Sequence, residues 1–277
     1  MKFSDDFNND KNSILNECCA GIENVINHLE MKHIEKVTNM PSKYLPNQNP
    51  YEFLGNFFKF IHSEYIGKYY QLIYGFINSI NEKNYLIAAL CGRSIIESTA
   101  TLRYYNKECM KKITILSEKE MKGESIYDQK FIESIIKIIN QHMHGSRFDW
   151  MKFFTTDKKT FAEKLIEEAK AKNKDYVESL PIARLLDSWN EDMPELRFYY
   201  DFFSDLVHPN LGSNLLLMDL NNNTASIGGN SEKLIGKNIA IQSVLLLTPC
   251  IKEATTQLRN SVMLSALGNP LNSPTIH

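Results

Sequence analysis

Tyr199-Tyr200-Asp201-Phe202-Phe203-Ser204-Asp205-Leu206-Val207-His208-Pro209-Asn210 is an aromatic helix that stops at a histidine followed by proline. A proline ring disfavours helical geometry at the residue before it, so the helix is predicted to end at or near His208. At such an end the unpaired carbonyls and the negative pole of the helix dipole favour a protonated imidazole. Tyr200, Ser204 and His208 recur every four residues and share one face, while Asp201 and Asp205 lie on the neighbouring stripe. Arg197 is spaced to pair with Asp201.

Helical periodicity continues outward in both directions from this segment. Apolar residues at three-and-four spacing predict helices over about 4–36, 51–80, 83–105, 107–121, 127–143, 159–173 and 181–188. Asn81-Glu82 is too short for anything but a tight connection, so the second and third helices are expected to form an antiparallel hairpin. Beyond Asn210 the pattern changes. Leu215 to Gly228, with Asn221-Asn222-Asn223 in the middle, reads as a small β-hairpin. A last helix is expected over about 231–267, kinked at Pro249. The predicted architecture is an all-α helical bundle with one small β-hairpin near residues 215–228. An N-terminal helix lies in 1–40, the bundle in 51–267 and a flexible tail in 268–277.

Bulk composition narrows the function classes. An apolar fraction of 43% and a charged fraction of 23% describe an ordinary globular protein. A net charge of −2 leaves no global basic field to hold nucleic acid non-specifically. Leu234 to Ile251 is the most apolar long stretch, but Lys237, Asn238, Gln242 and Pro249 interrupt it, so no membrane association is expected. Five cysteines without a CxxC pair, after a polar and acidic N-terminus, predict a reduced, cytoplasmic protein.

Three motif readings for chemistry are weak, two on geometry and one on composition. Ser204 and His208 with a carboxylate invite a hydrolase triad, yet no GxSxG elbow exists and both residues ride one helix. His142-Met143-His144 has the HxH spacing that aims two ligands together on a strand, not at a helix end. Without HExxH or a cysteine pair, no metal and no cofactor are expected. The segment from Tyr51 to Phe76 carries ten of the thirty aromatics but only Lys59 and Lys68 as bases, so it reads as a core or interface helix and not a base-stacking surface.

The richer constellation is Gly92-Arg93-Ser94-Ile95-Ile96-Glu97. Positions 86, 90, 93, 97, 100 and 104 form one helical stripe, which places Arg93 and Glu97 in line with Leu86, Leu90, Ala100 and Tyr104. That stripe is expected to face the core, where Arg93 and Glu97 must pair or hold a polar ligand. Gly92 is expected to admit a close backbone neighbour.

This RxxxE helix, together with the later segment that ends Ser204-Asp205-Leu206-Val207-His208-Pro209-Asn210, resembles a group of bacterial helical proteins that is itself similar to HEPN-type domains. Such domains are helical bundles found among toxins, abortive-infection systems and RNA-processing factors. The resemblance spans roughly residues 50 to 265 and implies a helical bundle with Arg93, Glu97 and His208 drawn together in its interior. Active HEPN ribonucleases carry an arginine a few residues before the histidine on one helix. Here the nearest one, Arg197, lies eleven residues away, and no basic residue intervenes.

Two functions follow. The first is a non-catalytic helical interaction or regulatory protein of a bacterial defence or toxin–antitoxin-like system, acting as a homo-oligomer or with a partner protein. The alternative is a metal-independent ribonuclease at an oligomer interface, with RNA as its partner. In that case His208, Arg93 and Glu97 form the catalytic set, with His208 as acid or base and Arg93 on the phosphate. Tyr200, Ser204, Asp205 and Asn210 are the expected binding residues in either case.

Overall fold

Asn49 and Pro50 start the first long helix of the core: the Asn49 side chain accepts the Tyr51 amide at 2.9 Å, and proline at the first helical position costs no hydrogen bond. The computed structural model describes residues 1–4, 7, 13–33, 44, 48–143, 180–208, 214, 218–219, 224–225 and 234–267. Its helices are α1 (Ser13–His33), α2 (Pro50–Asn81), α3 (Tyr85–Met121), α4 (Gln129–Met143), α5 (Ile182–Asn190), α6 (Leu196–Val207) and α7 (Leu234–Leu267). Asn210, the expected 159–173 helix and the tail 268–277 lie outside the described residues.

The three long helices α2, α3 and α7 pack mutually and form the centre of an all-helical bundle. The α2–α3 hairpin turns at Glu82-Lys83-Asn84. Lys83 takes a left-handed conformation (φ 58°), and the Asn84 amide returns to the Ser79 carbonyl at 2.8 Å. Asn84 then caps α3 by accepting the Ile87 amide. Within this pair the buried Tyr69 phenol meets the Thr99 hydroxyl at 3.1 Å. α1 lays Leu15, Cys19, Ile22, Ile26 and Leu29 into the same hydrophobic core, against α2 and α7. α4, α5 and α6 pack on α3.

Three expectations need correction. The helices anticipated at 83–105 and 107–121 are one, because Asn106 is a buried joint and not a breaker. Its amide donates to the Gln257 carbonyl and to Gln257 Oε1, both at 2.9 Å, and its Oδ1 accepts from the Ser261 hydroxyl at 3.2 Å. An asparagine satisfied by a neighbouring helix no longer competes for its own backbone. Second, the stripe faces the core only at its far end: Leu86 and Leu90 are 42% and 43% exposed while Ala100 is buried, and around its near end Tyr85, Ala88, Ala89, Ile95 and Ile96 are buried instead. Third, the neighbour that Gly92 admits is a ring and not a backbone. An ideal Cβ there would fall 2.6–2.9 Å from atoms of Phe203 on α6.

α7 continues through Pro249 as a single helix. Pro249 lacks the amide that would serve the Leu245 carbonyl, while the Thr248 hydroxyl and the Cys250 thiol bond to the carbonyls of Val244 and Leu246 on either side. Met218–Asp219 and Thr224–Ala225 pair antiparallel, with Met218 opposite Ala225. The rest of the 215–228 segment lies outside the described residues.

His142, in the last turn of α4, sits in an aromatic box, while His144 of the same HxH motif lies outside the described residues. The His142 ring lies 4.4 Å from that of Tyr105, 5.7 Å from Tyr65 and 5.9 Å from Phe57, centroid to centroid. Burial, assisted by the nearby charge of Lys68, pushes its pKa down to about 3, so the imidazole is neutral. Among the described residues no group of three His, Cys, Asp or Glu side chains is placed to hold a metal ion, and no helix is long and apolar enough to cross a membrane.

Candidate functional site at the α3–α6 contact

Gly92 is what brings the two halves of the site together. With only a hydrogen in the way, the fully buried Phe203 ring settles onto α3 and draws α6 against it. Tyr200 lies one helical turn before Phe203, and His208 follows the last turn. Both therefore arrive beside Arg93 and Glu97.

The resulting cluster is closely connected. Arg93 Nε donates to Glu97 Oε1 at 2.9 Å, and the Tyr200 phenol donates to the same oxygen at 3.0 Å. The Arg93 guanidinium lies over the Tyr200 ring, 5.4 Å from its centroid, a favourable placement of a cation on a π face. Arg93 Nη1 stands 3.5 Å from His208 Nε2, at the outer edge of hydrogen-bond distance, in a contact that only an unprotonated Nε2 accepts. Arg93 is thus held by a carboxylate, a ring and an imidazole from two helices.

His208 takes the geometry that the following proline imposes. Its φ of −73° and ψ of 148° are extended, and its amide closes the last turn onto the Ser204 carbonyl at 2.9 Å. The expected interior location is corrected, however. His208 is exposed, and the Arg93 and Glu97 side chains retain 28% and 33% of their accessible surface. The cluster sits at the surface with Tyr200 and Ser204 buried behind it.

Electrostatics follow from that arrangement. Burial raises the Tyr200 pKa and the hydrogen bond to Glu97 raises it further, so the phenol stays a donor. Burial is the largest single influence on Arg93 and opposes its charge, but the hydrogen bond to Glu97 and the charges of Tyr200 and Glu97 together outweigh it and the pKa rises. The Ser204 hydroxyl has no partner at full hydrogen-bond geometry. Asp205 is exposed on the outer side of α6. Arg197 is occupied elsewhere, in exposed pairs with Asp201 (3.7 Å) and Asp187 (3.6 Å).

Lys68 on α2 is the participant that motif reading missed. Burial lowers its pKa, while the charges of Glu97 and Glu64 work against that fall. A signal existed in the sequence: Lys68 and Glu97 stand fourteen residues to either side of the Glu82-Lys83 turn, so an antiparallel hairpin sets them opposite each other. Chemically, the cluster offers a fixed guanidinium and an exposed imidazole at a helix end, within reach of the charge of Lys68 on α2.

The family model that matches this chain is that of DUF5677, a family of unknown function, over residues 59–225. This is more than half of the chain, and the chain belongs to that family. The matched range contains Lys68, Arg93, Glu97, Tyr200 and His208 and leaves out α1 and α7. No curated protein and no solved structure matches the chain.

Proposed function

We propose that this DUF5677 member is a non-catalytic, HEPN-like helical interaction protein, which docks a second protein chain through the outer face of α3 in a bacterial defence or toxin–antitoxin-like system. The observation that carries this reading is the exposure of Leu86, Ile87 and Leu90 (42%, 40% and 43%) in line with the fixed Arg93–Glu97 pair. Apolar side chains beside a pre-organised arginine are the composition of an interface centre. Holding the guanidinium before docking reduces the ordering cost of association. In size-exclusion chromatography with light scattering, the purified protein is expected to run as a defined oligomer or with a partner chain, and Leu86→Glu/Leu90→Glu is expected to release it. A strict monomer with no co-purifying partner would overturn this reading.

A second reading is supported by the exposed His208 at 3.5 Å from Arg93. An accessible imidazole beside a cation is the minimum apparatus for metal-independent RNA cleavage, with the histidine moving a proton and the arginine meeting the phosphate charge. His208→Ala would then abolish cleavage of RNA, or toxicity on expression, and leave the thermal midpoint unchanged. Loss of stability without any change in activity would sink it.

A further inference from the structure

A cavity of about 280 Å³ opens between α1, α2 and α7. Its lining shares no residue with the Arg93–His208 cluster, and apart from His62 and Ile66 it lies outside the range matched by the family model. The floor is apolar and closed: Leu29, Ile66 and Leu258 are 3%, 6% and 6% exposed. The rim is polar, with Asn24, His28 and Arg259 all solvent-accessible.

The charge at this rim has one sign. No aspartate or glutamate lines the cavity, and Arg259 makes no ion pair or hydrogen bond among the described residues. The Thr255 hydroxyl is already spent on the Ile251 carbonyl at 3.0 Å. Arg259, His28 and Asn24, with the half-buried His62 beside them, are therefore the groups that would meet the polar end of a ligand. A guanidinium without a carboxylate, set over an apolar floor, favours an anion that carries its own apolar body.

We propose that this cavity binds a small anionic amphiphile: a carboxylate head at Arg259 with an aliphatic tail of about seven carbons on the floor of Leu29, Ile66 and Leu258. The size follows from the volume, which equals that of about nine liquid waters and so admits about ten non-hydrogen atoms. The site spans α1, α2 and α7, so an occupant would tie α1 to the core independently of what docks on α3.

Isothermal titration of the full chain with sodium octanoate, octan-1-ol and octylammonium tests the proposal. Octanoate is expected to bind one saturable site, octanol at least about tenfold more weakly, and octylammonium not at all. Arg259→Gln is expected to weaken octanoate by about tenfold or more and leave octanol unmoved. Val262→Trp, at a rim position exposed enough to spare the fold, is expected to block both. Absence of saturable octanoate binding would overturn the proposal. So would equal affinity for the three amphiphiles, or octanoate binding indifferent to both substitutions.

Discussion

Phe203 occupies the space that a side chain on Gly92 would need, with three of its ring atoms within 2.9 Å of where the Cβ would lie. Because the ring is fully buried, it has nowhere cheap to go. Gly92→Ala should therefore destabilise the protein by about 1–2 kcal/mol, the cost of overpacking less the gain in helix propensity. Urea unfolding measures it, and Phe203→Leu in the same chain should recover part of the loss. If Gly92→Ala alone proves stabilising, the close approach does not exist in solution.

Acid should weaken the fold through His142. Its folded pKa of about 3 lies below the ordinary 6.5, so the neutral ring is the one the folded state holds. The unfolded chain takes up a proton first, and stability present above pH 6.5 is lost as pH falls toward 3. The slope is about 1.4 kcal/mol per pH unit from this group alone, or about 2 kcal/mol between pH 6.5 and 5. Urea midpoints across that range should flatten markedly in His142→Phe. An unchanged slope would place the proton elsewhere.

Asn106→Ala should cost about 1–3 kcal/mol, because it leaves the Ser261 hydroxyl and Gln257 side chain without the buried partner they share. The loss should appear in the denaturant midpoint with little change in helical circular dichroism, since α3 has good helix formers on both sides of position 106.

At the surface cluster the same chemistry should be worth much less. Tyr200→Phe removes one hydrogen bond to the partly exposed Glu97 carboxylate, and Glu97→Gln removes the pairing charge from the partly exposed Arg93. Each should shift stability by no more than about 1 kcal/mol. A far larger effect on oligomerisation or on RNA cleavage than on thermal midpoint would mark the cluster as functional. Equal, small effects on all three would mark it as decoration.

Local chemistry made much of this legible in advance. Pro209 dictated the end of α6, and Asn49-Pro50 set the start of α2. The two-residue spacer at Asn81-Glu82 predicted the α2–α3 hairpin. What escaped was whatever depends on a distant partner. Asn106 reads as a break until Gln257, 151 residues later, satisfies it. The Leu86–Leu90 stripe reads as core because periodicity says which residues share a face, but not which way that face looks. The pairing of Arg93 with His208 was reached through resemblance, whereas its physical cause is the space at Gly92, visible only with Phe203 in place.

Of the three long helices of the core, α7 follows the other two by a long interval. α3 ends at Met121 and α7 begins at Leu234, so the α2–α3 hairpin leaves the ribosome without Ala240, Val244, Leu247, Ile251 and Leu258 to cover it. At ordinary rates of translation that gap lasts on the order of ten seconds. For that interval the nascent protein presents an open aromatic and aliphatic trough. This is a substrate for holding chaperones, and a reason for the cell to finish each chain before its neighbours find it.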